Sequence, residues 1–261
     1  MQLEKDFLYQ QYIELNKSQR DIAKMLNVTE GTVDYWTRKY GLQYKRSDPD
    51  KVFQLTYIDN KDPIFCYYAG LVATDGYLDY KNKRISLRVC NRGSYEVLDA
   101  LRNYFSFKPP VHVYVPKATG HPNYELLIPN TCIFKELDLM GIHGLKCTRT
   151  FDFGWFNSVS QDAQRMFLRG VLDGDGNIKK SDGVFRIAMQ SVNFIDTLIV
   201  CINAILKANY QRSYQSNSTH KQYPALFLKK YDSRRFYQFV YEGFSEYRFA
   251  DKYEKYINCI S

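Results

Sequence analysis

The sequence predicts an α+β protein in which two similar repeats follow a small, all-helical N-terminal domain. Two apolar runs of helical length end in Asp75-Gly76 and Asp175-Gly176, 100 positions apart, which indicates an internal duplication. Each run is followed by a segment in which polar and apolar residues alternate, and then by a helical segment. With 261 residues, 45% of them hydrophobic and 25% charged, the chain is long enough to bury a sizeable core.

The N-terminal domain, residues 1–46, is predicted to contain three short helices between residues 5 and 45. Ser18 is suited to cap a helix from Gln19 to Leu26, and residues 27–30 then form a tight turn before a third helix over 31–40. The apolar positions expected to form its core are Leu15, Ile22, Ala23, Leu26 and Val33. Residues 47–60 are polar, contain Pro49 and are interpreted as a linker.

The ends of the two apolar runs carry the most specific local signals. Gly176 is expected to adopt the left-handed conformation just past a helix end. Asp175 faces the negative end of the helix dipole, so we expect a compensating cation beside it. Gly170 and Gly174 lie four apart on one helix face, and the first run repeats this small-residue face with Gly70 and Thr74. The two helices are therefore predicted to meet along these faces.

Strands and helices follow in the same order in both repeats, which span residues 61–155 and 156–261. In the first repeat we expect Ile85, Leu87 and Val89 to face inward and Arg84, Ser86, Arg88 and Cys90 to face outward. In the second, Phe185, Ile187 and Met189 should face inward, and Arg186, Ala188 and Gln190 outward. Helices are predicted at 95–104 and 194–206, and further strands at 111–115, 124–128, 210–214 and 225–229. Each repeat would then hold a sheet with one buried face and one open, basic face.

Composition narrows the class of partner. The net charge of +8 and the pI near 9.0 favour a polyanionic partner, although a merely basic soluble protein has the same charge. The six cysteines form no C-x-x-C pair and the four histidines no metal-spaced cluster, which argues against a zinc site and fits a reducing compartment. No run of about eighteen apolar residues exists, and the N-terminus lacks the features of a signal peptide. A cytoplasmic protein is expected.

The two Asp-Gly runs resemble the motifs of a known family. Residues 168–176, Leu-Arg-Gly-Val-Leu-Asp-Gly-Asp-Gly, and residues 68–76, Tyr-Ala-Gly-Leu-Val-Ala-Thr-Asp-Gly, resemble the two motifs of single-chain LAGLIDADG homing endonucleases. The resemblance covers residues 61–261 and implies a pseudo-twofold duplicated fold, in which two αββαββα repeats form a DNA-binding saddle. Tyr68 stands where leucine is usual, and Ala73 replaces the first acidic residue. Asp173 fills that acidic position in the second copy, where we expect a structural role.

The resemblance also implies a set of catalytic and metal-binding residues. Asp75 and Asp175 would hold Mg²⁺, or Mn²⁺ in its place, together with the neighbouring backbone carbonyls of Thr74 and Gly174. Gln190 would order the attacking water, Lys146 would neutralise the transition state, and Lys252 would be its counterpart from the second repeat. The alternative for both lysines is a solvated surface charge. The alternative for the two aspartates is an ordinary Asp-Gly turn, which two equivalent copies make a poor interpretation.

Two surfaces are expected to bind DNA. The resemblance implies that the open sheet faces read the major groove, through residues Arg84, Ser86, Arg88, Arg186 and Gln190. Residues 18–36 resemble the helix-turn-helix of bacterial DNA-binding domains, so the third helix would carry Thr32, Tyr35, Arg38 and Lys39 toward a groove. The alternative is a small helical bundle that only packs on the rest of the chain.

The resemblance therefore predicts a monomeric endonuclease that cuts both strands of one long DNA site. An intein is not expected, because the chain begins with Met and ends in Asn-Cys-Ile-Ser without a terminal His-Asn. A free-standing or intron-encoded protein of a bacterium or phage is expected instead. Two other functions stay open: a DNA-binding regulator that pairs a degenerate LAGLIDADG domain with a helix-turn-helix, and an RNA-splicing maturase. Such regulators tend to lose the carboxylate pair, which this chain keeps.

Overall fold

The computed structural model describes residues 3–15, 17–42, 58–90, 93–107, 109–116, 120–179, 181, 183–216 and 220–260. The chain divides into two compact units, Met1–Val52 and Phe53–Ser261. Most of the predicted linker, residues 47–57, lies outside the described residues. Within the described ranges, no helix has both the length and the apolar character needed to cross a membrane.

The first unit contains three helical segments, as predicted. Helix α1 (Lys5–Leu8) continues into a π-helical stretch (Tyr9–Glu14), and α2 (Gln19–Leu26) and α3 (Glu30–Lys39) follow. Ser18 and Thr29 cap α2 and α3, because each hydroxyl accepts a hydrogen bond from a backbone N–H of the first turn, at 3.1 and 3.2 Å. The prediction that Leu15 belongs to the core is wrong. Leu15 is 55% exposed, because the wider π-helical turn before it shifts the apolar face. The buried core consists of Leu3, Leu8, Ile22, Ala23, Val33 and Leu42.

In the second unit, the order helix, two strands, helix, two strands, helix occurs twice. Its first half contains α4 (Pro63–Asp75), β1 (Gly76–Asp79), β2 (Arg84–Val89), α5 (Ser94–Tyr104), β3 (His112–Tyr114), β4 (Asn123–Pro129) and α6 (Thr131–Leu139). Its second half contains α7 (Phe153–Ser158), α8 (Gln161–Asp175), β5 (Asn177–Ile178), β6 (Phe185–Ala188), α9 (Val192–Leu206), β7 (Ser213–Ser216), β8 (Gln222–Phe227), α10 (Lys230–Tyr241) and α11 (Ala250–Ile260).

Each half forms one four-stranded antiparallel sheet, with strand orders β1-β2-β4-β3 and β5-β6-β8-β7. The equivalent orders agree with the predicted duplication. Strand β7 begins later than predicted, at Ser213 rather than at Tyr210. The side chain of Asn203 bonds both the N–H and the C=O of Tyr210, at 2.7 and 2.9 Å, and thereby holds that residue in the turn after α9.

The buried face of each sheet carries the aliphatic and aromatic residues predicted to face inward. Ile85 and Leu87 are fully buried, whereas Arg84 and Arg88 on the same strand are exposed. The prediction that Ser86 is open to solvent is wrong. Ser86 is buried because its hydroxyl donates a hydrogen bond to Glu125, which covers it.

Helices α4 and α8, the two motif helices, pack against each other through their small residues, as predicted. A Cβ added to Gly70 would lie 2.2 Å from the carbonyl oxygen of Phe167, and one added to Gly170 would lie 2.2 Å from that of Tyr67. Only glycine allows the two backbones to approach this closely.

The predicted left-handed conformation of Gly176 is wrong. Gly176 is extended, with φ −69° and ψ 146°, and so is its counterpart Gly76. Glycine is required there for space, since a Cβ on Gly176 would lie 2.6 Å from the carbonyl oxygen of Leu172. The chain turns directly from the helix into β5, so no left-handed cap residue is needed.

Candidate active site

The two motif helices bring Asp75 and Asp175 to one end of their contact. Each aspartate is the last residue of its helix. Gly174 packs against the other helix so closely that a Cβ there would lie 2.0 Å from Thr74 Oγ1 and 2.9 Å from Asp75 Oδ2. The two carboxylate side chains remain about one quarter exposed, at 25% and 23%. The two carboxylates thus lie at the same end of the contact between the motif helices.

Lys146, from the segment between α6 and α7, lies against both carboxylates. Its Nζ is 3.1 Å from Asp175 Oδ2 and 3.8 Å from Asp75 Oδ1. Burial and the neighbouring charge of Asp175 raise the pKa of Asp75 to about 6, although Lys146 and Lys252 act in the opposite direction. A cation therefore stands where the helix dipoles and the paired carboxylates require one.

The donor set suits a hard divalent cation. Among the described residues there is no cluster of three or more His, Cys, Asp and Glu side chains that could hold a metal ion. Asp75 and Asp175 offer two carboxylates, so further ligands would have to be backbone carbonyls, water or substrate oxygens. Mg²⁺ commonly binds through one or two carboxylates and keeps positions for water and substrate phosphate. The Thr74 hydroxyl donates inward to Gly70 O and Leu71 O, at 3.2 and 3.0 Å. Any contribution of Thr74 to a metal would therefore come from its backbone carbonyl.

Gln190 lies in the same cleft as the catalytic candidates. A cavity of about 320 Å³ is bordered by Lys146, Asp175 and Gln190. The β7–β8 hairpin adds residues to this cleft that were not predicted from the sequence, although both strands carry polar residues in the sequence. The remaining lining residues are Ala188, Met189, Gln215, Ser216 and Tyr223.

Lys252 is buried against the backbone that follows the second motif helix. Its Nζ donates a hydrogen bond to the carbonyl oxygen of Gly176, directly after the second motif helix, and burial lowers its pKa. The first motif helix has an equivalent contact from Arg149, which sequence analysis did not identify. Arg149 Nη1 donates to Gly76 O at 3.0 Å and to Val72 O at 2.6 Å. By its contacts, Arg149 is thus the counterpart of Lys252.

Asp173 is completely buried beside the motif helices. Its carboxylate accepts hydrogen bonds from the hydroxyls of Tyr67 and Tyr241, at 2.8 and 3.1 Å, and from the backbone N–H of Phe249, at 3.0 Å. Arg169, one turn earlier, donates to five carbonyl groups between residues 240 and 247. Both side chains tie the second motif helix to the segment that precedes α11.

The open faces of the two sheets hold their arginines differently. In the first sheet, Arg84 pairs with Asp79 and Arg88 pairs with Glu125, each at 2.9 Å. In the second, the Arg186 guanidinium lies 5.6 Å from the ring centre of Phe227, and its Nε has no hydrogen-bond partner within the described structure.

The residues predicted to bind DNA from α3 lie mostly on an exposed surface of the first unit. Tyr35 is 57% exposed and the Arg38 side chain 81% exposed. Arg38 pairs with Asp34 at 3.1 Å, and Lys39 Nζ lies 4.5 Å from the ring centre of Trp36. Thr32 is partly covered, because its hydroxyl shares a 2.9 Å hydrogen bond with that of Thr29.

Comparison with known proteins shows similarity of structure only. No protein-family model and no curated protein matches the chain. The homing endonuclease I-WcaI bound to its DNA recognition sequence is similar with a TM-score of 0.55 and 14% identity, over 82% of this chain and 92% of that chain. Full-length DUF199/WhiA from Thermatoga maritima is similar with a TM-score of 0.51 and 11% identity, over 84% of this chain and 67% of that chain. The protein thus has a mixed α+β fold with two antiparallel four-stranded sheets, like that of LAGLIDADG proteins.

Proposed function

We propose that the protein is a site-specific endonuclease that hydrolyses both strands of double-stranded DNA with a divalent metal ion. The observation that carries this proposal is the pair of carboxylates, Asp75 and Asp175, that meets around one cationic group at the end of the motif helices. A binding protein has no need for two partly exposed carboxylates at this position, because they repel DNA phosphates. The net charge of +8 supports a polyanionic substrate. We propose that one chain acts alone, since it contains both carboxylates.

The residues of the cleft have separate roles in this proposal. Asp75 and Asp175, with the carbonyls of Thr74 and Gly174, would hold Mg²⁺, which would supply Lewis-acid stabilisation of charge on the scissile phosphate. Lys146 releases its carboxylate contacts and neutralises the negative charge that develops on the phosphoryl oxygens. Gln190 orients the attacking water by hydrogen bonding.

Lys252 acts on the backbone at the end of the second motif helix. Its hydrogen bond to Gly176 O fixes the turn that follows Asp175, while its positive charge acts on Asp75 through space. We therefore assign Lys252 to positioning rather than to direct contact with the phosphate.

The second candidate function is a regulator that binds DNA without cutting it. The fold is compatible with this alternative too, because the similarity to WhiA extends over 84% of this chain and the similarity to I-WcaI over 82%. The exposed basic residues of α3 suit either function, because DNA contact by that helix is independent of cleavage.

Cleavage of a DNA library decides between the two functions. We would incubate the full chain with plasmids that carry randomised duplex inserts, with Mg²⁺ or with EDTA, and sequence the ends of linearised molecules. The endonuclease predicts Mg²⁺-dependent double-strand breaks, with short 3′ overhangs, at one enriched sequence. If the protein selects a DNA sequence by binding but does not cut plasmids that carry it, this result supports the regulator and contradicts the endonuclease.

Substitutions test the assigned carboxylates once a site is known. Asp75→Asn and Asp175→Asn should each abolish double-strand cleavage and leave affinity equal or higher, since a negative charge near phosphate is removed. Lys146→Ala should slow cleavage more than it weakens binding. Asp138→Asn, an exposed change on α6 with the same change in charge, is the matched control and should cleave normally. Normal cleavage by either Asp75→Asn or Asp175→Asn would contradict the metal-ligand assignment.

A further inference from the structure

The exposed arginines of β2 each lie directly opposite a carboxylate on the open face of the first sheet. The strand register pairs Arg84 with Asp79 on β1 and Arg88 with Glu125 on β4. Both contacts are hydrogen-bonded ion pairs of 2.9 Å. Residues directly opposite each other in neighbouring strands share one face, so all four side chains lie on the face proposed to contact DNA.

In both pairs the arginine is the outer partner. The side chains of Arg84 and Arg88 are 45% and 62% exposed, whereas those of Asp79 and Glu125 are 17% and 18% exposed. Arg88 donates to Glu125 through Nε, and Arg84 donates to Asp79 through Nη2. A guanidinium has five N–H donors, so each arginine keeps donors beyond its ion pair, and arginine reads guanine through two parallel N–H groups.

Neighbouring groups keep both carboxylates ionised and fixed. Hydrogen bonds from Asn82 and Arg84 lower the pKa of Asp79 to about 2. Burial alone would raise the pKa of Glu125, but hydrogen bonds from Ser86 and Arg88 hold it below its ordinary value. The buried hydroxyl of Ser86 donates to the same oxygen of Glu125 that Arg88 contacts. Ser86, predicted to touch DNA, thus supports Glu125 instead.

Neither fold stability nor attraction to DNA accounts for these two negative charges. Exposed ion pairs contribute little to stability. A carboxylate on a DNA-binding face also weakens the attraction to phosphate. An ion pair can also preorganise a long, flexible arginine side chain, because it favours one geometry of that side chain before a partner binds.

Among the described residues of the second sheet, no arginine lies opposite a carboxylate in this way. Arg186 lies opposite Asn177 and Phe227, neither of which is acidic. Its guanidinium packs on the ring of Phe227 instead. The effect of carboxylate support should therefore be confined to the part of the DNA site that the first sheet contacts.

We propose that Asp79 and Glu125 are positioning residues for DNA specificity, which hold Arg84 and Arg88 in the geometry that reads guanine bases. This inference rests on the proposed DNA-binding function and holds for an endonuclease and for a regulator alike. It predicts that loss of either carboxylate raises general affinity for DNA and lowers discrimination between sequences.

The test selects bound sequences from a library of randomised duplex DNA with the wild type, Asp79→Asn and Glu125→Gln in parallel. The matched control is Asp99→Asn, which removes the same charge from an ion pair on α5, a helix that packs on the opposite face of this sheet. Both test variants should bind a fixed mixed-sequence duplex more tightly than the wild type. Base discrimination should fall about ten-fold at positions in one half of the selected site and stay unchanged in the other half. Asp99→Asn should keep the wild-type profile.

A double substitution separates positioning from direct base contact by the carboxylate. If Glu125 acts through Arg88, Glu125→Gln should change discrimination no further in a protein that already carries Arg88→Ala. Three results would each overturn the inference. They are a further loss of base discrimination in the Arg88→Ala background, an unchanged selection profile in both single variants, and an equal loss of discrimination in both halves of the DNA site. A wild type that enriches no sequence removes the proposed DNA function itself, and this outcome is distinct from the other three. Thermal unfolding of each variant shows whether that variant is folded under the conditions of the binding selection.

Discussion

Gly70 and Gly170 touch through their backbones: a Cβ on either residue would lie 3.0 Å from the Cα of the other. This contact sets the distance between the motif helices. Because Asp75 and Asp175 follow five residues later on each helix, it also brings the two carboxylates together around Lys146. The geometry of the candidate site thus depends on two residues that have no side chains.

Gly170→Ala should destabilise the second unit strongly. The added methyl group would lie 2.2 Å from the carbonyl oxygen of Tyr67, so the helices must separate. We expect a loss of about 3 kcal/mol or more in the free energy of unfolding, measured by urea denaturation. Gly31→Ala is the comparison, because its Cβ would meet nothing nearer than Thr29 Oγ1 at 3.9 Å. Equal stability of Gly170→Ala and the wild type would contradict the close contact.

Arg149→Ala should loosen the end of the first motif helix. It removes the donor to the carbonyls of Val72, Ala73 and Gly76 and leaves them buried without that partner. We expect a loss of about 2–4 kcal/mol in the free energy of unfolding. If cleavage is confirmed, its rate should fall more than the affinity for DNA, since Asp75 ends this helix. Arg235→Ala, which changes an arginine that is 40% exposed, should alter neither quantity appreciably.

Asp173→Ala should destabilise the fold without removing any proposed metal ligand. Two tyrosine hydroxyls and the N–H of Phe249 would lose their common acceptor in a buried site. At about 1–3 kcal/mol for each unsatisfied group, the loss should be about 3 kcal/mol or more. Asp138→Ala on the exposed face of α6 should stay within about 0.5 kcal/mol of the wild type. A small effect of Asp173→Ala would mean that water replaces the carboxylate.

Removal of residues 1–46 should weaken DNA binding and leave the chemistry intact. Both proposed metal ligands and both sheets belong to the second compact unit, Phe53–Ser261. The first unit would add a tethered second contact, which raises affinity through effective concentration. We expect a shorter footprint on one flank only and a weaker salt dependence. Identical footprints of the full and shortened chains would contradict DNA contact by the first unit.

A full-length variant gives the matching control for that truncation. Arg38→Ala with Lys39→Ala removes two exposed charges of α3 and leaves its capped N-terminus unchanged. It should reproduce part of the loss in affinity and part of the change in salt slope, because each phosphate contact contributes separately. Wild-type affinity in this variant would place any DNA contact elsewhere on the first unit.

The sequence by itself determined the features that depend on short-range spacing. The recurrence of Gly70 and Thr74 in Gly170 and Gly174 predicted the helix contact, because residues four apart share a helix face. The alternation around Ile85 and Ile187 predicted which sheet faces are buried. The cap at Ser18 and the succession of helices and strands along each repeat likewise follow from local patterns.

Only the tertiary structure decided how the polar side chains are used. Lys146 and Lys252 look alike in the sequence, yet one contacts both carboxylates and the other lies buried against a backbone carbonyl. Arg149 and Glu125 gave no local signal at all. Their partners lie up to 77 residues away along the chain, as for Arg149 and Val72. Local periodicity fixes which face a residue occupies. The partner of a long polar side chain depends instead on packing between distant segments, where burial makes an unsatisfied donor or acceptor costly.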